Sequence, residues 1–233
     1  MNEIKIDDIF AFYESKPEIY EILSKAEDID KTILKTILHD ISFKNKFVLD
    51  LGAGTGKFSI PISSKAKFVY SLDTSEKALS VLRKKAKNKR IKTLKGTFGN
   101  IPLPNESVDI VLSTWAFPSH SSNRESDLKE ILRVIKRGGK IIVVENYPGG
   151  EYHFIKKKFL SNPGKHCENT NRWLLSKKFK RKVVEVLVDL HSKKHIEKVF
   201  TGPLPLERIK DYLYRKNKTG FNLKASIFYG ERK

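Results

Sequence analysis

A doubly wound α/β fold is what the 233-residue sequence predicts. Two observations point to it. Five short apolar runs, Phe47–Leu51, Phe68–Leu72, Ile91–Leu94, Val108–Leu112 and Lys140–Glu145, are separated by stretches long enough for helices. That alternation is the mark of a parallel sheet covered on both faces. Beyond them a strand is expected around Lys182–Leu190, and Phe221, Leu223, Ala225, Ile227 and Tyr229 alternate with mostly polar residues, so two late strands should extend the same sheet.

Each element has its own signal. From Pro17 to Ile41 the apolar residues Ile19, Ile22, Leu23, Ala26, Ile33, Leu34, Ile37, Leu38 and Ile41 recur at helical spacing, which predicts helices ahead of the core. Phe47–Leu51 runs into Gly52-Ala53-Gly54-Thr55-Gly56, and helical character resumes at Lys57: strand, tight loop, helix. The second strand ends at Asp73, and Ser75 is placed to cap a helix that buries Ala78, Leu79, Val81 and Leu82. Leu128, Ile131, Leu132 and Ile135 fall at i, i+3, i+4 and i+7, with Gly138-Gly139 as the expected left-handed stop. Later the pattern loosens, with helices expected around Asn169–Lys178 and after Pro205.

Length favours one core and hence one domain over residues 1–233, divided into a helical cap (1–45), a ligand-binding core (46–146) and a substrate-side segment with the last strands (147–233). With 39% hydrophobic and 31% charged residues the composition is that of a globular protein. The aliphatic run Ile141–Val144 is far short of the ~20 residues of a membrane-spanning helix. Acids near Met1 stand where a secretory signal would be basic, and the single Cys167 fits a reducing compartment, so a cytoplasmic location is expected. Asn217-Lys218-Thr219 spells a glycosylation sequon, which such a location leaves unmodified.

The net charge is +19 and unevenly placed: residues 1–150 carry 25 basic against 19 acidic side chains, and residues 151–233 carry 21 against 8. A basic C-terminal third could attract RNA, an anionic surface or an acidic metabolite. Charge alone, however, argues about encounters and not about chemistry.

The glycine loop separates the nucleotide-binding classes. A phosphate-binding P-loop would need glycine where Leu51 stands and a hydroxyl where Phe58 stands. The dinucleotide pattern would put its third glycine at Lys57, one position after Gly56. The run Val48-Leu49-Asp50-Leu51-Gly52-Ala53-Gly54-Thr55-Gly56 instead resembles the first motif of class I S-adenosylmethionine-dependent methyltransferases. Gly96 to Asp109 is similar to the family segment that lines the adenine pocket, and Leu132 to Lys140 to the segment before strand five. The resemblance covers about residues 46–146 and is nearest the ubiquinone and menaquinone biosynthesis methyltransferases. It implies a Rossmann-like, mostly parallel seven-stranded sheet with an N-terminal helical cap, and S-adenosylmethionine as cofactor.

The resemblance also implies a cofactor-binding set. Asp50 would serve the methionine ammonium end, while Gly52, Ala53, Gly54 and Gly56 form the loop. Asp73 would accept the ribose hydroxyls with Thr74 beside it, although capping the next helix is an alternative role for an acid there. Thr97, Phe98 and Gly99 belong to the adenine segment, and Ser113 and Trp115 follow strand four. Thr97 departs from the family, which commonly has an acid there for the adenine amino group. In relatives a leading helix covers the cofactor, a role that would fall to Tyr13.

No catalytic base is singled out. His120, in the loop after strand four, is the best titratable candidate, and Glu145-Asn146-Tyr147 ends strand five on the same edge. Ser113-Thr114-Trp115-Ala116 lacks the Asn/Asp-Pro-Pro-aromatic motif of many nucleic-acid amino-methylating enzymes. His166-Cys167 has no second pair at metal-ligand spacing, and no metal is expected. A small-molecule acceptor is therefore the expected partner and nucleic acid a less favoured one, the alternative being an RNA- or protein-directed methyltransferase that uses the basic C-terminal region.

Overall fold

The computed structural model describes residues 15–87, 90–159, 163–201 and 204–233, without the side chains of Pro17 and residues 156–166, 204 and 205. Tyr13 and the side chains of Lys156, Lys157, Lys158 and His166 therefore lie outside the described residues. Two helices, α1 (Pro17–Ala26) and α2 (Thr32–Asp40), precede β1 (Phe47–Leu51), α3 (Ser59–Ser63), β2 (Phe68–Asp73), α4 (Glu76–Lys85) and β3 (Ile91–Lys95). There follow β4 (Val108–Thr114), α5 (Arg124–Val134), β5 (Ile135–Asn146), α6 (Gly150–Phe159), α7 (Pro163–Ser176), β6 (Lys180–Asp189), α8 (Lys193–Phe200), α9 (Leu204–Arg215) and β7 (Gly220–Glu231).

The seven strands form one sheet in the order β3-β2-β1-β4-β5-β7-β6. The first five are parallel, while β7 runs antiparallel to both β5 and β6. The late strands do extend the same sheet. From β1 the chain first winds towards β2 and β3, then returns to lay β4 on the other side of β1. That reversal opens a crevice at the carboxyl ends of β1 and β4, the position where open α/β sheets bind ligands.

Strand periodicity explains the two buried faces. Val48, Ile110, Leu112, Ile142 and Val144 point to one side, where Ile33 and Ile37 of α2, Phe58, Ile62 of α3 and residues of α8 and α9 cover them. Leu49, Val111, Ile141 and Val143 point to the other, against Leu128, Ile131 and Val134 of α5 and Leu174 of α7. Each such side chain contributes roughly 1.5–3 kcal/mol on burial, so double-sided cover is the main source of cohesion.

Boundaries differ from the sequence expectation in two places, one of them the start of α7 at Pro163, six residues before Asn169. α5 ends at Val134, and Ile135, whose spacing matched the helix, is the first residue of β5, paired with Val108. The amide of Ser107 donates to the Val134 carbonyl (2.8 Å), tying the helix end to the start of β4. Gly138 is left-handed (φ 72°), but it sits within β5, where the pairing register with β4 shifts between Val108 and Ile110. Two helices, α6 and α8, were not anticipated. α8 carries a legible signal nonetheless: the Ser192 hydroxyl caps it by accepting from the His195 amide, and Ile196, Val199 and Phe200 are buried at i, i+3 and i+4. None of the described helices is long and apolar enough to cross a membrane.

Candidate cofactor cleft

Three left-handed glycines shape the loop after β1: Gly52 (φ 80°), Gly54 (φ 52°) and Gly56 (φ 88°). They do different work. Gly52 and Gly54 face a cleft of about 260 Å³, whereas Gly56 lies against Leu82 and Ile60 and lets α4 pack on the loop. Ala53 is buried with Leu79 and Leu82 on that same packing side.

Asp73, the last residue of β2, closes the loop's other side. Its Oδ2 accepts the Gly54 amide and its Oδ1 the Ser75 amide, each at 2.8 Å. The cap of α4 is Ser75, whose hydroxyl accepts from the Ala78 amide, so Asp73 does not fill that role. A carboxylate has about four acceptor sites, and these bonds engage one on each oxygen in a group that borders the cleft.

Asp50 stands behind the loop. It is 1% exposed, its Oδ2 accepts the Ser59 hydroxyl at 2.5 Å, and its Oδ1 has no hydrogen-bond partner. Burial, with the nearby Asp73 charge, pushes its pKa up to about 6, against the opposing pull of Ser59. Because the folded state favours the proton, this group's contribution to stability is complete below the ordinary value of 3.8 and is lost as pH rises through about 6. Asp50→Asn, which keeps the Ser59 bond, should raise stability at neutral pH by about 1–3 kcal/mol and flatten the profile between about pH 4 and 6. Urea unfolding across that range checks it; lower stability at pH 7 would refute the burial argument.

The cleft's remaining walls come from four elements. Leu72, Ala78, Gly96 and Phe98 give an apolar side, and the exposed Thr74 lies next to Asp73. Phe98 packs edge-on to Phe117, ring centroids 5.9 Å apart. Thr97 and Gly99 flank it without lining the cleft: Thr97 forms an isolated bridge with Asn100, and a Cβ on Gly99 would meet Asp127 Oδ1 at 2.7 Å. Thr114, Trp115, Ala116 and His120 provide the wall after β4, with His120 exposed and its amide donating to the Ala116 carbonyl (2.8 Å). Ser113 is buried behind that wall, donating to Leu51 O (2.9 Å) and accepting from the Phe117 amide (2.9 Å).

Trp115 has a left-handed backbone (φ 50°), a conformation bulky residues rarely adopt and one that the surroundings must enforce. Its amide donates to Val144 O (2.8 Å), and its indole N–H donates to Asn146 Oδ1 (3.1 Å). The Lys57 ammonium lies 5.1 Å from its ring centroid, so one cation already occupies that π-system. Glu145 is buried, and Tyr147 meets the Arg181 guanidinium.

Tyr20 of α1 was not anticipated. It sits 100° round the helix from Ile19, at the edge of the apolar stripe, and an aromatic there is the signal that could have marked it. Tyr20 is 37% exposed as a whole and lines the cleft with its hydroxyl close to Gly54; desolvation at that hydroxyl, with the charges of Glu27, Asp73, Glu21 and Asp50, pushes its pKa up and keeps it protonated. Two ion pairs fasten α1 there, Glu27–Lys57 at 3.3 Å and Glu21–Lys85 at 2.8 Å, and Lys85 also reaches Thr55 O at 3.0 Å.

These residues fit S-adenosylmethionine. Gly52 and Gly54 leave room at the loop, a carboxylate stands at the end of β2, the base side is apolar, and a buried carboxylate oxygen lacks a donor. Comparison with known proteins agrees. Residues 49–143 match the methyltransferase domain family model. A methyltransferase-like protein of Schizosaccharomyces pombe is 39% identical over 115 residues, covering 49% of this chain and 43% of that protein. Phosphoethanolamine N-methyltransferase 3 of Arabidopsis thaliana is 31% identical over 174 residues, covering 66% of this chain and 35% of that protein. The chain thus spans less than half the length of these relatives. Among solved structures, the YcgJ protein of Bacillus subtilis superposes with a TM-score of 0.63 at 18% identity, covering 86% of this chain and 97% of that one. A methyltransferase of Thermotoga maritima gives 0.61 at 20%, covering 97% and 100%. The fold and the cleft define a Rossmann-like nucleotide-binding architecture, and the family match over residues 49–143 places a methyltransferase domain on it.

Proposed function

We propose that this chain transfers a methyl group from S-adenosylmethionine to a small-molecule acceptor by direct in-line displacement. The observation that carries the choice of acceptor is the charge of the cleft: among the described residues no Lys or Arg lines it, while the net charge of the chain is +19. A polyanion would be drawn by cations at the mouth. Of the described C-terminal cations, Lys177 pairs with Glu125, Lys182 with Asp40 and Lys218 with Glu151, and Arg181 lies over Tyr147. The Arabidopsis relative, named for phosphoethanolamine, supports the same reading.

When bound, the cofactor supplies a methyl already activated on a sulfonium, so the chain's task is alignment and exclusion of water. Asp73 would hold the ribose hydroxyls, with Thr74 beside it. Leu72, Ala78 and Phe98 would take the base, and Thr97, Ser113 and Gly99 would keep that wall in place. Asp50 would answer the ammonium charge from behind Gly52, Ala53, Gly54 and Gly56. Trp115 and the exposed His120 would face the acceptor, and His120 would be the candidate to accept a proton where the acceptor must lose one. Residues 147–233 would supply the acceptor side of a single domain.

Methyl-labelled donor incubated with the protein and with separated metabolite, RNA and protein fractions of a cell extract tests the proposal. Label is expected in the metabolite fraction. Salt-sensitive labelling of RNA, or labelling of protein, would replace it with the macromolecular alternative.

A further inference from the structure

The wall after β4 is joined at several points to α7, which lies outside the methyltransferase-domain match: Phe117 meets Trp173 edge-on, Arg124 bridges Pro118 O and Thr170, and a chain of hydrogen bonds runs through Asn146. Asn146, the last residue of β5, accepts the Trp115 indole N–H on its side-chain oxygen (3.1 Å). Its backbone carbonyl receives two donors from α7, Cys167 Sγ at 2.8 Å and Asn171 Nδ2 at 2.9 Å. Asn171 in turn accepts the Ser226 hydroxyl at 2.7 Å, which fastens α7 to β7. Asn171 and Ser226 are 2% and 0% exposed. A buried polar chain with each named bond at hydrogen-bond distance is costly to break at any one link, and it holds its members in one arrangement.

The indole needs such a holder. Trp115 borders the cleft on a left-handed backbone, and the Lys57 ammonium pulls on its ring from the side of α1. Without the Asn146 oxygen the partly buried N–H would lose its partner, and the ring would be free to swing about its side-chain bonds into or out of the cleft.

We infer that Asn146 is a positioning residue, which sets the Trp115 indole against the cleft and passes the position of α7 to it. The inference rests on the proposed cofactor reading of the cleft and assigns Asn146 no contact with the reacting atoms. Side-chain loss at Asn146 and donor loss at Trp115 should therefore be two ways of making the same change.

The test is a double-mutant cycle read by calorimetric affinity for S-adenosylhomocysteine. Asn146→Ala and Trp115→Phe are each expected to weaken binding about three- to tenfold, the loss of one hydrogen bond of about 1 kcal/mol. The double variant should be no weaker than the worse single one. Asn146→Asp, which keeps the acceptor oxygen, should restore most of the affinity. In a Trp173→Phe background Trp115 is the only tryptophan, and Asn146→Ala should shift its emission maximum before any ligand is added. An unchanged emission, or effects of the two single variants that add in full, would overturn the inference. If the unaltered protein fails to bind S-adenosylhomocysteine, the cofactor reading itself has failed, while the emission test of the Trp115–Asn146 bond stands independently. Should Asn146→Ala not fold, Asn146→Leu, which fills similar space without the acceptor oxygen, takes its place in the same emission and affinity measurements, with the same outcomes deciding.

Discussion

Asp73→Ala should weaken the binding of S-adenosylhomocysteine by about ten- to 150-fold. That is the ~1.5–3 kcal/mol expected for hydrogen bonds to a charged group. The lower bound counts only the ribose contact. Asp73 also accepts the amides of Gly54 and Ser75 at 2.8 Å each, so its removal leaves the partly buried Gly54 N–H without that acceptor and loosens the turn that shapes the cleft. Asp73→Asn keeps one acceptor oxygen and should fall between the two, which separates loss of charge from loss of geometry. Calorimetry gives the affinities. Unchanged binding in Asp73→Ala would confine Asp73 to holding the loop.

The second large effect is steric. A Cβ added to Gly52 would overlap the Cβ of Ala116, a stub of the wall after β4 that cannot rotate away, and Gly52 is left-handed at φ 80°. Gly52→Ala should therefore cost the backbone strain of ~1–2 kcal/mol plus ~1–3 kcal/mol of overpacking, and should narrow the cleft as well. Gly138→Ala is the control: φ is 72° there, but nothing lies within 4 Å of the added carbon. It should show the strain alone. Denaturant midpoints measure both, and equal losses would mean that the close approach of the loop to Ala116 is not rigid.

Much of this was legible in the sequence because the core obeys short-range rules. β1 is found at Phe47–Leu51 as expected, since a doubly covered strand reads as a continuous apolar run closed by glycine. Ser75 caps α4 for the reason its residue type suggests. Ile135 misled because a buried residue that starts a strand can fall in phase with the preceding helix, and only its pairing with Val108 shows where the helix stops.

Within the cleft, Gly52, Gly54, Asp73, Thr74, Phe98, Trp115 and His120 come together along its walls, whereas Asp50, Ala53, Gly56, Thr97, Gly99 and Ser113 stand behind or beside them. A motif reports a stretch of chain, and alternate residues of a tight loop necessarily face opposite ways. Tyr20 was given no place by the sequence, and Asn146 only a position at the ligand edge of strand five, for a different reason. Each acts through a contact made across the fold, Tyr20 onto a loop more than 30 positions away and Asn146 onto a residue of the neighbouring strand's end. No local pattern encodes such a pairing.

On the proposed reading the crevice between β1 and β4 receives the adenosine part of S-adenosylmethionine. Calorimetric titration of the chain with S-adenosylhomocysteine, and separately with NAD, tests it most directly. Saturable one-site binding of the homocysteine compound, weakened in Asp73→Ala, with no heat from NAD, is the result expected. Binding of NAD with none of S-adenosylhomocysteine would contradict the account.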